Sequence, residues 1–226
     1  MNILALSGWG QAHDALSSIV PQAVHFDYSV YDNVEQVMEE IVIIGREYDA
    51  VIGWSLGGQI LVRALANGVI KTDKMVLIAT PFSFVSNDNV GMPADQFVKF
   101  RENYSRNSPR TLTKAWGLIS LDDEREVEVK EWLNIYDKSL ILKKNWLYWL
   151  DELERFNCDS LDFDKLPASL IIHGVNDKVV DFAQSDEFVK RMGETKHIVM
   201  NGAGHAPHWH DSEFVKKQVE KYITEK

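Results

Sequence analysis

Cysteine is nearly missing: Cys158 is the single one in 226 residues, so no internal disulfide framework can form and the composition suits a reducing compartment. Without a flanking nucleophile motif, Cys158 reads as a plain free thiol. No uninterrupted apolar stretch reaches the ~20 residues that a membrane-spanning helix needs. The N-terminus lacks the basic region and long apolar core of a secretory leader, and its first apolar residues suit a strand instead. A cytoplasmic protein is therefore expected. Positive charge is scarce, with 24 Lys and Arg against 34 Asp and Glu, a net charge of −10 and a pI near 5.2. That balance argues against general nucleic-acid binding and against adhesion to anionic membranes. Neither a Walker phosphate loop nor a dinucleotide fingerprint occurs, so no cofactor is expected. His205, His208 and His210 cluster, but no paired Cys or carboxylate pattern accompanies them, and the cluster does not read as a metal site.

Apolar residues are present in sufficient number, 45% of the composition, to bury a sheet covered by helices on both faces. Strand-like runs alternate with helix-like ones, the pattern of an α/β fold whose mainly parallel sheet is built from right-handed crossovers. Six strands are predicted, near Ile3 to Leu6, Ala23 to Phe26, Ala50 to Gly53, Lys74 to Ile78, Ser169 to His173 and Lys196 to Val199. Helices are predicted over Val34 to Tyr48, Leu56 to Asn67, Phe182 to Met192 and Asp211 to Tyr222, with Asp211 as a cap. The length fits one domain over residues 1–226. Residues 82–166 are too long for a simple connection and too rich in periodic apolar residues for a disordered loop, so they read as a helical lid inserted into that domain.

The run Tyr48 to Gly58 sets Ser55 inside Gly-x-Ser-x-Gly, between a buried-strand pattern and a helix pattern. A serine that turns so sharply and still projects its hydroxyl needs a strained backbone, and Gly53 and Gly57 remove the side chains that would obstruct it. Such a nucleophile elbow expects an acid and then a histidine later in the chain. Asp177 follows the strand-like run ending at His173, and His205 follows the run ending at Met200. The chemistry explains the residue types: serine is a weak nucleophile at its own pKa, a histidine must take its proton, and a carboxylate must fix the imidazole's tautomer and stabilise its charge. Ser55, His205 and Asp177 are the catalytic candidates in those roles. For the oxyanion hole, the backbone N–H after the nucleophile belongs to Leu56, and the second donor is assigned to the N–H of Trp9 in the loop after the first strand. Trp9 and Phe82, each expected beside a strand's carboxyl end, are the candidate substrate-pocket walls. Trp116, Trp132, Trp146 and Trp149 lie within the lid, where most aromatics are expected to pack the lid on itself and on the sheet.

With these motifs in place, the chain resembles the α/β-hydrolases, and among them the pimeloyl-acyl-carrier-protein methyl ester esterases of biotin synthesis. Ser7-Gly-Trp-Gly10, Gly53-Trp-Ser-Leu-Gly-Gly58, His173-Gly-Val-Asn-Asp177 and Gly204-His-Ala-Pro207 carry the resemblance. It departs at Ser7, where such enzymes usually have histidine; a backbone donor at Trp9 survives this, but the loop's side-chain hydrogen bonding must differ. The resemblance implies an α/β-hydrolase fold, a serine carboxylesterase working through an acyl-enzyme, and as substrate the methyl ester of pimeloyl attached to acyl carrier protein. The alternatives are a generalist short-chain esterase, thioesterase or lactonase of the same fold, and a non-catalytic binder that keeps the pocket. Carrier proteins are acidic, and the resembled esterases meet theirs through basic lid residues. Arg101, Arg106, Arg110 and Lys114, opposed locally by Glu102, are accordingly the candidate docking face, against the plainer reading of a solvated surface.

Overall fold

The computed structural model describes residues 1–86 and 90–225. Six parallel strands form the central sheet: β1 (Ile3–Leu6), β2 (Val24–His25), β3 (Ala50–Trp54), β4 (Met75–Ile78), β5 (Ser169–Gly174) and β6 (Thr195–Met200). Their spatial order is β2-β1-β3-β4-β5-β6. All residues of β1, β3, β4 and β5 are buried, as expected of parallel strands covered on both faces. Helices α1 (Val34–Ile44), α2 (Leu56–Ala66) and α8 (Ala183–Arg191) make the crossovers, and α10 (Ser212–Thr224) closes the chain. No helix among the described residues is long and apolar enough to cross a membrane.

Register brings the functional loops to one rim. Leu6 pairs with Gly53, Gly53 with Leu77 and Leu77 with Ile171, so the carboxyl ends of β1, β3, β4 and β5 finish together. From β1 the chain moves outward to β2 and then returns across β1 to β3. The crevice between β1 and β3 is thus the switch point where open α/β sheets place ligands.

Helix α1 is shorter than its apolar pattern predicts. Asn33 caps its start by accepting from the Gln36 N–H at 2.9 Å, and the helix ends at Gly45. Glu47 and Tyr48, predicted helical, instead pair in parallel with Lys71 and Thr72 as a separate two-stranded ribbon. Tyr48 is buried there and donates its hydroxyl to the Ile41 carbonyl at 3.0 Å. A glycine stop followed by burial of one aromatic overrides the helical periodicity. At the other end, Asp211 caps α10 through the Phe214 N–H at 3.0 Å.

Between β4 and β5 the described residues form five α-helices: α3 (Ala94–Arg106), α4 (Ser108–Ser120), α5 (Glu126–Asn134), α6 (Lys138–Ile141) and α7 (Trp146–Arg155). Residues 87–89, inside the stretch read as a lid, lie outside the described residues. Phe97, Trp116, Trp146 and Trp149 are buried among these helices, which gives short helices, marginal alone, the apolar contact they need.

Candidate active site

Ser55 sits at the turn from β3 into α2 with φ 53° and ψ −124°, a left-handed conformation for a residue with a side chain. Such strain costs on the order of 1–3 kcal/mol and persists only where the surroundings impose it. Here the close approach of α2 to the sheet imposes it. A Cβ at Gly53 would lie 2.4 Å from the Gly58 Cα, and one at Gly57 would lie 2.3 Å from the Leu6 carbonyl oxygen. Ser55 N–H donates to the Ile78 carbonyl at 2.9 Å, which ties the strained residue to β4.

Ser55 Oγ lies 3.0 Å from His205 Nε2, and His205 Nδ1 lies 2.7 Å from Asp177 Oδ2. All three residues are buried. Asp177 is fully engaged: Oδ2 also accepts from His173 Nε2 at 3.1 Å, and Oδ1 accepts from the Val179 and Val180 amides at 2.7 and 2.9 Å. Burial alone would push the Asp177 carboxyl up. The charge on His205 and the hydrogen bonds from His173 and His205 outweigh it and hold the carboxyl well below the usual carboxylate range. An ionised Asp177 requires hydrogen on His205 Nδ1, leaving Nε2 free to accept from the serine hydroxyl. His173 stands in the sequence as the end of a strand-like run and the first residue of His173-Gly-Val-Asn-Asp177, and no local signal marks it as the acid's second donor.

The loop Ser7–Gly10 lies against the serine, since a Cβ at Gly8 would come within 3.3 Å of the Ser55 Cβ. Four side-chain hydrogen bonds hold it: Ser7 Oγ to Ala12 O at 2.7 Å, Tyr28 Oη to Ser7 O at 2.9 Å, Trp9 Nε1 to Trp146 O at 2.9 Å, and Trp116 Nε1 to Gly10 O at 2.9 Å. Ser7 thus closes its own loop onto Ala12. Among the described residues, neither the Trp9 amide nor the Leu56 amide has an acceptor.

The His205 loop is anchored from two sides. Trp54, immediately before the nucleophile, donates its indole N–H to the His205 carbonyl at 2.9 Å and packs its ring on His208 and Trp209. From the insertion, the Ile119 carbonyl accepts from His205 N–H at 3.2 Å, and Asp123 Oδ2 accepts from Gly204 N–H at 2.7 Å. The other Asp123 oxygen engages His210 Nδ1 at 2.6 Å and the Arg125 amide at 2.8 Å. The three clustered histidines therefore serve different ends. His205 joins Ser55, His210 braces the α4–α5 turn, and His208 is fully buried with neither ring nitrogen partnered among the described residues. Burial and, less strongly, the charge of His205 lower the His208 pKa to about 3.

A cavity of about 80 Å³ lies over Ser55, walled by Trp9, Trp54, Phe84, Phe100, Trp116 and Val179 among others. Phe82, expected in this wall, is absent from it. Ala79 takes φ 44° just past β4 and redirects the chain, and Phe82 packs instead on Phe163 and Phe188 with the Arg191 guanidinium 4.5 Å above its ring. Phe84 occupies the position foreseen for it. The basic residues of the early insertion also part company. Arg101 is held by Asp151 of α7 (Nη2 to Oδ2 3.0 Å), an acid 50 residues away that a local charge count misses, so it braces α3 on α7 rather than offering a free cation. Arg106 meets Glu102 at 3.3 Å, whereas Arg110 and Lys114 are exposed on one face of α4 with no acidic partner among the described residues.

A strained serine, a histidine and an aspartate meeting at the carboxyl rim of a parallel sheet define a hydrolase of the α/β class. The chain belongs to the alpha/beta hydrolase family, which matches residues 3–217. Within it, the chain is similar to the pimeloyl-[acyl-carrier protein] methyl ester esterase of Nitrosomonas europaea, 26% identical over 185 residues that span 78% of this chain and 71% of the relative. It is likewise similar to the enzyme of that name from Aromatoleum aromaticum, 24% identical over 91% of both chains. Among solved structures, an esterase from Exiguobacterium antarcticum shares the fold with a TM-score of 0.83 at 16% identity, covering 100% of this chain and 92% of its own.

Proposed function

We propose that the protein, a serine hydrolase of carboxylic esters, cleaves the methyl ester of a pimeloyl group carried on acyl carrier protein. The observation that carries the reading is the continuous chain Ser55 Oγ to His205 Nε2 to Asp177, with links of 3.0 and 2.7 Å. Ser55 Oγ attacks the ester carbonyl while His205 Nε2 takes its proton, and Asp177 stabilises the imidazolium through Nδ1. The developing oxyanion is received by the amides of Trp9 and Leu56. Collapse expels the alcohol, which leaves with the proton from His205. Water activated by the same imidazole then hydrolyses the acyl-enzyme.

Support for the carrier-bound substrate comes from the relatives' names and from the exposed cations Arg110 and Lys114. A second reading, a generalist esterase for small esters, is favoured by the 80 Å³ cavity, well below the ~300–1,000 Å³ usual for ligand pockets. Hydrolysis of p-nitrophenyl butyrate by the wild type, with Ser55→Ala reduced to the uncatalysed rate, tests the esterase. Growth of a biotin auxotroph lacking its own methyl esterase separates the substrates. Rescue by the wild type and not by Ser55→Ala selects the carrier-bound ester; failure by a soluble, active enzyme selects the generalist.

A further inference from the structure

Gln11 is 3% exposed, yet among the described residues neither its Oε1 nor its Nε2 has a hydrogen-bond partner. Leaving both atoms of a buried primary amide unpaired is costly, and the large majority of buried side-chain polar atoms in folded proteins have a partner. Gln11 also stands at a boundary. Its side chain lines the 80 Å³ cavity over Ser55 and, on its other side, a surface cleft of about 840 Å³ between residues 11–32 of the sheet portion and residues 136–145 of the insertion. Within that cleft Lys144 pairs with Asp27, and the Asn145 amide donates to Asp32 at 3.0 Å. Gln11 is held in this place because Gly10, just before it, takes φ 69° and accepts from Trp116 Nε1 through its carbonyl.

The catalytic cavity alone holds only a short chain, and a longer acyl group must leave it somewhere. We infer that Gln11 marks that exit and is a specificity-determining residue: the acyl chain passes it from the cavity into the cleft, and its carboxamide binds a neutral group in the chain that both donates and accepts, a secondary amide. The substrate N–H donates to Gln11 Oε1, and Gln11 Nε2 donates to the substrate carbonyl, which satisfies both orphaned atoms at once. A hydrocarbon chain in the same path leaves both unpaired, so the site discriminates by the cost of the unmade bonds. This deepens the esterase reading and rests on it.

The test uses methyl esters whose acyl chains carry a secondary amide at successive positions, each paired with a hydrocarbon ester of equal length, and reads the ratio of kcat/KM within each protein. The wild type should favour the amide at one position by at least about tenfold, and Gln11→Leu should bring that ratio to about one. Gln11→Met, unbranched and of similar length, serves if leucine does not fit. No preference at any position in the wild type, or a preference that survives both substitutions, overturns the proposal. If the wild type hydrolyses no ester, p-nitrophenyl butyrate included, the esterase reading has failed separately. The Kd ratio of the same pairs, measured calorimetrically on the wild type, then supports Gln11 recognition if it favours the amide and overturns it if it does not.

Discussion

His208 shows how a single side chain couples the site to stability. Its ring is fully buried between Trp54 and Trp209, with centroids 4.6 and 4.8 Å away, and burial lowers its pKa to about 3. The unfolded chain binds a proton near the ordinary histidine value of about 6.5, so the stability conferred by keeping the ring neutral is full above that pH. It is lost as pH falls towards 3. At pH 5 the loss amounts to about 2 kcal/mol. Urea unfolding of His208→Leu should show a flatter fall in stability than the wild type between about pH 6.5 and 3; parallel curves would mean that the imidazole is hydrated or protonated in the fold. At this same scale the sequence yields its clearest information. Ser55, Asp177 and His205 stand out because each follows a strand-like run that ends at the right rim, a pattern set by neighbours in the chain. His173, Phe84 and Gln11 carry no such mark, because what each touches is decided by residues far away in sequence.

At the scale of elements, the strands and crossover helices follow closely from periodicity and caps, while the α4–α5 turn does not. That turn acts on the site: Asp122 takes φ 62°, its carbonyl accepts from the Asn176 side chain at 2.8 Å, and Asp123 holds Gly204 and His210. In the sequence it is only an acidic run, Asp122, Asp123, Glu124, indistinguishable from a solvated surface. Asp123→Ala would leave the Gly204 N–H and the His210 ring without their buried acceptor, at a cost of about 1–3 kcal/mol. Misplacing His205 should lower kcat for p-nitrophenyl butyrate by about 10–100-fold with KM changed little. Steady-state kinetics beside a thermal melt distinguish this from simple unfolding, since a folded Asp123→Ala with unchanged kcat would deny the turn its part.

Across the whole molecule, the net charge of −10 makes any meeting with an acidic carrier depend on a local cationic surface. Arg101 is paired with Asp151 and Arg106 with Glu102, which leaves Arg110 and Lys114 without an acidic partner among the described residues. Reversing Arg106 and Arg110 to Glu should raise KM for a carrier-bound ester roughly tenfold and steepen with falling ionic strength, while a small free ester is hydrolysed as before. Stopped assays on both substrates at two salt concentrations check this; equal effects on the two would remove the docking face. The number of strands could be seen in the chain, but the molecule's charge surface could not, because an ion pair 50 residues apart cancels a cation that a linear count leaves free.

The paired indole bonds, Trp9 to the Trp146 carbonyl and Trp116 to the Gly10 carbonyl, fasten the roof of the site to the Ser7–Gly10 loop beside the serine. A protein trimmed of that roof would be an unfinished arch, its serine uncovered and the Ser7–Gly10 loop short of two of its ties.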